Sequence, residues 1–537
     1  MLILAISTTL LALPVFDVYA AVDEEVIMWT NLSNMPTSRG GLCSAVVSGK
    51  IYAIGGSNSS NVLDVNEMYD TTTGRWSTRA SMPTARTGFA TAVYENKIYA
   101  IGGSIGESFT GKVEVYDTIG DTWSTLSSMP MSRADLTANV VGDKIYLIGG
   151  KALSNNSPYY TQTNDNQVYD IKTNTWSTCA SMPISLQGYA SVVVGTKIYV
   201  IGGSRQSLSG VDTSTSNLQI YDTETDKWSN GQPLLFSSSY GAAVVTSGVM
   251  APTKIYCVGG FSVETFTDKT QIYDVANDYW TDGPKMSAQR AYLGLTIVND
   301  IIYATGGLDG VKCLNLHEEL KPIGYGKVPP VIDITSPQQN KTYKTIQIDY
   351  QVNKAVSWVG YSLDNNLNVT LTKTSSIVEN IPDGSHSIVL FAKDALGNIG
   401  VSKTIYFTID NTVPIITIIN PLHQAYSTAD IALTFIIDKP VTQISYSLNG
   451  QNNVPITGNI TIPALPDGDH VITVYATDEL GNLGTSDEIT FTIATFPISK
   501  VAITILVIMI LITSGYLAIK HKKTNITQPI ETSEIKK

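Results

Sequence analysis

Apolar residues fall in short runs along this chain, and polar turn residues close each run. The run at 50–56, KIYAIGG, returns as KIYAIGG (97–103), KIYLIGG (144–150), KIYVIGG (197–203), KIYCVGG (254–260) and IIYATGG (301–307). A Tyr-Asp pair follows each of the first five copies, at Tyr69-Asp70, Tyr116-Asp117, Tyr169-Asp170, Tyr221-Asp222 and Tyr273-Asp274. Six to seven residues later stands a tryptophan: Trp76, Trp123, Trp176, Trp228 or Trp280. A Met-Pro turn comes next, as at Met82-Pro83 and Met129-Pro130, and then a run of small apolar residues. The pattern predicts four strands per unit. They are a (after Met-Pro), b (the heptapeptide), c (ending in Tyr-Asp) and d (carrying Trp).

A lone four-stranded sheet cannot bury both faces, so the units must pack face to face around an axis. The paired glycines suit a close backbone approach or a positive φ. The Tyr and Trp rings supply the large apolar area between sheets. Double glycine, Tyr-Asp and Trp at these offsets resemble the kelch repeat, over roughly residues 26–316. The resemblance implies an all-β protein with a six-bladed kelch β-propeller. The sixth unit has Gly306-Gly307 but no Trp after it, while a spare Trp29 precedes the first unit. The N-terminal strand is therefore expected to complete the last blade and close the ring.

A second repeat follows a linker at 317–330. IPDGSHSIVLFAKDALGNIG (381–400) is matched by LPDGDHVITVYATDELGNLG (465–484), and YSLD (361–364) by YSLN (446–449). Alternating short runs with PDG and LGN turns predict two immunoglobulin-like β-sandwiches, at 331–411 and 412–495. They resemble the modules strung along prokaryotic surface proteins, without the Cys…Trp…Cys pattern of antibody domains. Asp394 and Asp478, before the LGN turns, read as turn residues or as ligands of a Ca²⁺ ion.

The ends suggest a place in the cell. Residues 1–20 read as a signal peptide, with Val18 and Ala20 at the cleavage positions. Residues 501–519 are uncharged, and Lys520, Lys522 and Lys523 follow. A transmembrane helix at 498–519 and a cytoplasmic tail at 520–537 are expected, with the rest extracellular (type I). Sequons at Asn31, Asn58, Asn155, Asn340, Asn368 and Asn459 then lie outside the membrane.

The net charge of −12 argues against nucleic acid as the partner. Cys43, Cys179, Cys257 and Cys313 are scattered, which predicts free thiols and no metal site. Of five histidines only His317 touches the propeller, which excludes a histidine-based copper centre of the kind some kelch propellers hold. No GxSxG or HExxH occurs. No cofactor is expected.

Two features are candidates for recognition. Arg39, Arg86, Arg133 and Arg290 each stand sixteen residues before a first glycine, with Leu186 and Ser239 taken as the counterparts in blades 4 and 5. The arginine blades, 6, 1, 2 and 3, are contiguous. Either these side chains brace the blades through backbone carbonyls, or they form a basic arc that reads carboxylates bidentately. The b–c loops of blades 3 and 4 are the longest, and blade 3 offers Tyr159 and Tyr160 as contact residues. The expected role is a membrane-anchored extracellular binding or adhesion protein, its ligand an acidic glycan or peptide. The alternatives are an extracellular carbohydrate-active enzyme of the mutarotase kind and an architectural envelope protein. Clustered carboxylates in the funnel would favour an enzyme, and an exposed Arg–Tyr face would favour binding.

Overall fold

The computed structural model describes residues 27–154, 160–206, 211–263, 265–495 and 498–524. The signal-peptide segment, Asn155, Tyr159 and the last 13 residues, 525–537, lie outside the described residues. Two compact units emerge, residues 1–330 with 396–398, and the remainder.

The first unit holds six four-stranded antiparallel sheets. Blade 1 runs Cys43–Val47, Lys50–Ile54, Asn66–Asp70, Arg75–Arg79, the a-b-c-d order expected. Strand b is almost wholly buried in every blade because neighbouring sheets cover both its faces, which is why it reads as a continuous apolar run. Strand d is the outermost and mostly exposed, save for its tryptophan.

Blade 6 closes the ring. Gly294–Val298, Ile301–Thr305 and His317–Leu320 are completed by Trp29–Asn31, with Trp29 opposite Leu320. The propeller therefore passes the expected boundary at 316: residues 317–320 are its last strand c, not linker. They pair on both sides, with Ile302–Thr305 and with the N-terminal strand, and that pairing is what a short segment so near the linker could not reveal.

Each of the six propeller tryptophans donates its indole N–H to a carbonyl of the preceding blade. Trp123 reaches Ala80 at 2.8 Å, Trp228 reaches Ala180 at 2.9 Å, and Trp29 reaches Pro284 at 3.1 Å. The Tyr of Tyr-Asp packs on the Trp of its own blade with ring centroids 5.0–5.3 Å apart. The aromatic pair thus fills the wedge between blades and satisfies its own polar atom there.

The paired glycines meet both conditions set for them. Gly102 and Gly103 have φ of 67° and 104°. A Cβ on Gly102 would lie 2.6 Å from the carbonyl oxygen of Arg133 in the next blade.

In the second unit, each sandwich pairs a three-stranded sheet with a six-stranded one. The first packs Ile346, Ile348, Leu390 and Phe407 into its core, the second Leu433, Ile472, Val474 and Phe491. A helix, α1, spans Ile498–Thr524, and its described side chains between Ile505 and Ile519 are exposed. Among the described residues no helix is long and apolar enough to cross a membrane.

Candidate functional site

The four arginines do not form an exposed basic arc. Each is fully buried. Arg86 donates to the carbonyls of Ala100 (3.0 Å), Gly102 (3.3 Å) and Lys112 (3.2 Å), and to Glu114 at 2.8 Å. Arg39 meets Ala53 O at 2.8 Å and Glu67 at 3.1 Å, and Arg290 pairs with Glu318. Their forks read carboxylates, but the carboxylates are the protein's own, on strand c of the same blade. Burial pulls each guanidinium pKa below its ordinary value, and in these three blades the facing glutamate opposes that pull. The main chain reaches the other way: the carbonyl of Arg86 accepts the Gly56 N–H of blade 1 at 3.0 Å. One residue therefore ties strands b and c of its own blade and joins that blade to its predecessor.

The same backbone bond identifies the counterparts in the remaining blades. Gly150 donates to Leu186 O and Gly203 to Ser238 O. The blade 5 counterpart is thus Ser238 rather than Ser239, because the long a–b connection of that blade shifts the sixteen-residue count. Strand c varies in step. Glu67, Glu114 and Glu318 face arginines in blades 1, 2 and 6, whereas Gln219 and Gln271 stand where the arginine is absent. Blade 3 is the exception: Arg133 meets Gln167 Oε1 at 3.0 Å and three backbone carbonyls.

Two residues beyond each of these positions lies a feature the strand pattern did not single out. Gly41, Gly88, Asp135, Gly188, Tyr240 and Tyr292 all have φ between 53° and 63°. Each donates its backbone N–H to the carbonyl of its counterpart in the preceding blade, at 2.5–3.0 Å, and Gly41 returns to Tyr292. Six bonds close a ring around the axis. Below it lies a cavity of about 230 Å³ lined by the first residues of the six inner strands. The signal was in the chain as a fixed offset of two from the Arg position. Its meaning required the ring.

Three ring positions carry side chains into the mouth. Tyr240 and Tyr292 stack with centroids 4.4 Å apart, and Asp135 lies across the ring on blade 3. Glycine at neighbouring positions leaves the room. A Cβ on Gly88 would sit 2.4 Å from Asp135 Oδ1, and one on Gly188 would sit 2.4 Å from the Tyr240 ring. Burial, and next the Asp135 charge, push both phenols well above their ordinary pKa, so they remain hydrogen-bond donors.

The b–c loops of blades 3, 4 and 5 fold as small hairpins beside this mouth: Lys151–Leu153 with Tyr160–Gln162, Ser204–Gln206 with Asp212–Ser214, and Phe261–Ser262 with Thr265–Phe266. They are bridged to one another. The Gln162 amide donates to Ser204 O (3.1 Å) and accepts from Gln206 N (2.8 Å), and Ser214 Oγ donates to Phe261 O (2.9 Å). Lys151 Nζ is 2.6 Å from Asp135 Oδ2 and lies over the Tyr160 ring at 4.8 Å. The Tyr160 hydroxyl donates to Asp212 Oδ2 at 2.6 Å, as does Gln187 Nε2 at 2.8 Å. Gln187 is fully buried, and its Oε1 has no hydrogen-bond partner among the described residues. Tyr160 therefore lies in the hairpin cluster, against Lys151 and Asp212, whereas the four arginines stay within the blades.

The remaining candidates resolve locally. Asp394 faces Lys354 at 3.0 Å and Asp478 faces Lys439 at 3.2 Å, so an ammonium stands where a metal would. Burial works to raise the Asp478 pKa, but the Asn482 and Leu480 N–H groups and Lys439 together hold it at about 2. Among the described residues no cluster of His, Cys, Asp and Glu could hold a metal ion. All four cysteines are free thiols.

With this architecture in view, the family model and the curated relatives agree on the class. A family model described as the Attractin/LZTR1 beta-propeller matches residues 51–315. The human Kelch-like protein 23 is 27% identical over 156 residues, which are 29% of this chain and 26% of that protein. Kelch-like protein terF of Aspergillus terreus is 31% identical over 159 residues, 28% of this chain and 33% of that protein. The match thus spans a third or less of these relatives. A solved structure of YjhT aligns at 19% identity with a TM-score of 0.45, covering 53% of this chain and 96% of that one. The chain carries a kelch-type β-propeller.

Proposed function

We propose that this protein is a membrane-anchored, extracellular binding protein, and that its propeller engages a ligand at the axial mouth beside the hairpins of blades 3, 4 and 5. One observation carries the reading. The half-buried polar and aromatic side chains of the ring, Asp135, Tyr240 and Tyr292, gather at a single opening that bridged hairpins flank on one side. Loops on a rigid scaffold are where recognition concentrates. The carboxylate pattern favours binding over catalysis. The buried glutamates are engaged by arginines, and Asp135 and Asp212 already hold Lys151, Tyr160 and Gln187, which leaves no free acid–base pair in the funnel among the described residues. The two sandwiches suit an immunoglobulin-like stalk. The anchor rests on the sequence: residues 501–519 are uncharged, and lysines follow them.

The full chain, probed against envelope extract and against arrays of neutral and acidic glycans, is expected to bind through the mouth. Asp135→Asn with Tyr292→Ala should remove that binding while the melting temperature stays near the native value. Binding that survives in the folded double variant would move the site elsewhere. For the anchor, the full chain should sediment with membranes, and a chain ending at residue 495 should not. Equal partition of the two would refute it.

A further inference from the structure

The chemistry of the mouth narrows what it takes, and this step rests on the binding reading above. The groups that face the opening alternate in character. Asp135, which lines the cavity, accepts; the neutral phenols of Tyr240 and Tyr292, which also line it, donate, as does Lys151 beside Asp135. An anion would use the donors alone and meet the Asp135 carboxylate. A bare cation would use the acceptors alone and meet Lys151. A ligand whose groups both donate and accept satisfies the whole set, and hydroxyl is that group. Stacked tyrosine rings offer an apolar surface beside these polar atoms, suited to the C–H face of a sugar ring. A cavity of about 230 Å³ accommodates one sugar ring and excludes a folded domain. We infer that the axial mouth, between Asp135 on blade 3 and the Tyr240–Tyr292 stack on blades 5 and 6, binds one uncharged sugar unit, free or terminal on a glycan.

The test uses the full chain in a detergent without a sugar headgroup. Neutral methyl glycosides, a methyl glucuronide and tetramethylammonium are titrated separately, followed by tyrosine fluorescence and saturation-transfer NMR. At least one neutral glycoside is expected to bind saturably, and the two charged probes are not. Asp135→Asn, whose backbone suits asparagine as well as aspartate, should weaken the neutral glycoside about tenfold or more, as loss of a hydrogen bond to a charged group does. Tyr292→Phe keeps the stacked ring and should give a smaller loss; Tyr292→Ala should abolish binding. A neutral oligosaccharide ending in the same unit separates a glycan terminus from a free sugar by its tighter binding. Binding only of a charged probe, or neutral binding unchanged in folded Asp135→Asn and Tyr292→Phe, overturns the inference. Absence of every glycoside, with mouth-dependent capture of an envelope component intact, overturns the sugar class alone. Absence of both overturns the binding reading as well.

Discussion

The buried arginines show how one side chain acquires its role from a partner far away in sequence. A guanidinium without water is tolerated because strand c supplies a carboxylate and strand b supplies carbonyls. Arg86→Ala would strand Glu114 in the interior and is expected to cost about 3–5 kcal/mol, the usual penalty for breaking a buried pair. Chemical denaturation of the two proteins measures it. Blade 3 permits the opposite experiment. Gln167→Glu places a carboxylate beside Arg133 in an isosteric side chain. The melting temperature should rise at pH 7, and the gain should fade below about pH 4 as the new acid protonates. His317 sets a second pH dependence. It is buried against Tyr69, Trp76 and Tyr303, with Nδ1 2.9 Å from Thr305 Oγ1. Burial, and next the charge of Arg290, push its pKa down to about 3. The folded state therefore binds a proton less readily than the unfolded chain. Its contribution is complete above about pH 6.5 and is lost as pH falls toward 3. Melting curves of the native protein should fall more steeply across that window than those of His317→Phe. Parallel curves would mean the imidazole is not held neutral.

At the scale of the element, the heptapeptide is the unit of construction. Strand b is buried on both faces, so its apolar run and its burial agree without further context. The two glycines that end it answer to a neighbour that is not in the same blade. Gly102→Ala adds a methyl group at φ 67°, 2.6 Å from the Arg133 carbonyl. Backbone strain and the clash together should cost about 2 kcal/mol or more. Because the clash falls at the blade 2–blade 3 joint, hydrogen exchange should quicken at Gly103 N–H, which bonds that carbonyl at 2.8 Å. Unchanged exchange there would show that the neighbour yields. The hairpins beyond strand b illustrate the reverse case. Their length was visible in blades 3 and 4, but the Gln162 amide that bridges them is an ordinary loop residue until the two loops are side by side.

At the scale of the molecule, the propeller is a ring, and a ring has one place where it opens. Trp29 occupies that place. It is buried among Tyr256, Ile272, Leu293 and Leu320, and its indole bonds Pro284 and Thr270 of blade 5. Trp29→Ala should cost about 3–5 kcal/mol. It should also loosen blades 5 and 6 together, read as joint loss of amide protection in Thr270–Asp274 and His317–Leu320. Loss confined to Trp29–Asn31 would mean the ring holds without the closing strand.

Architecture was legible in this chain because a repeat writes the same burial pattern six times. Period, strand order, the closing Trp29, the glycine pairs and the Tyr-Trp wedges all depend on residues close in sequence or at a constant offset, so the sequence alone determined them. The site did not yield to that reading. Four arginines at a constant offset mark a constant place in the fold, yet nothing local says whether a side chain there turns outward or meets Glu67, Glu114 or Glu318 on strand c. Asp135, Tyr240 and Tyr292 stand on blades 3, 5 and 6, a repeat or more apart in sequence, and only the ring brings all three to one opening. Which side chains share a space is a property of chain crossings, and those the tertiary structure decided.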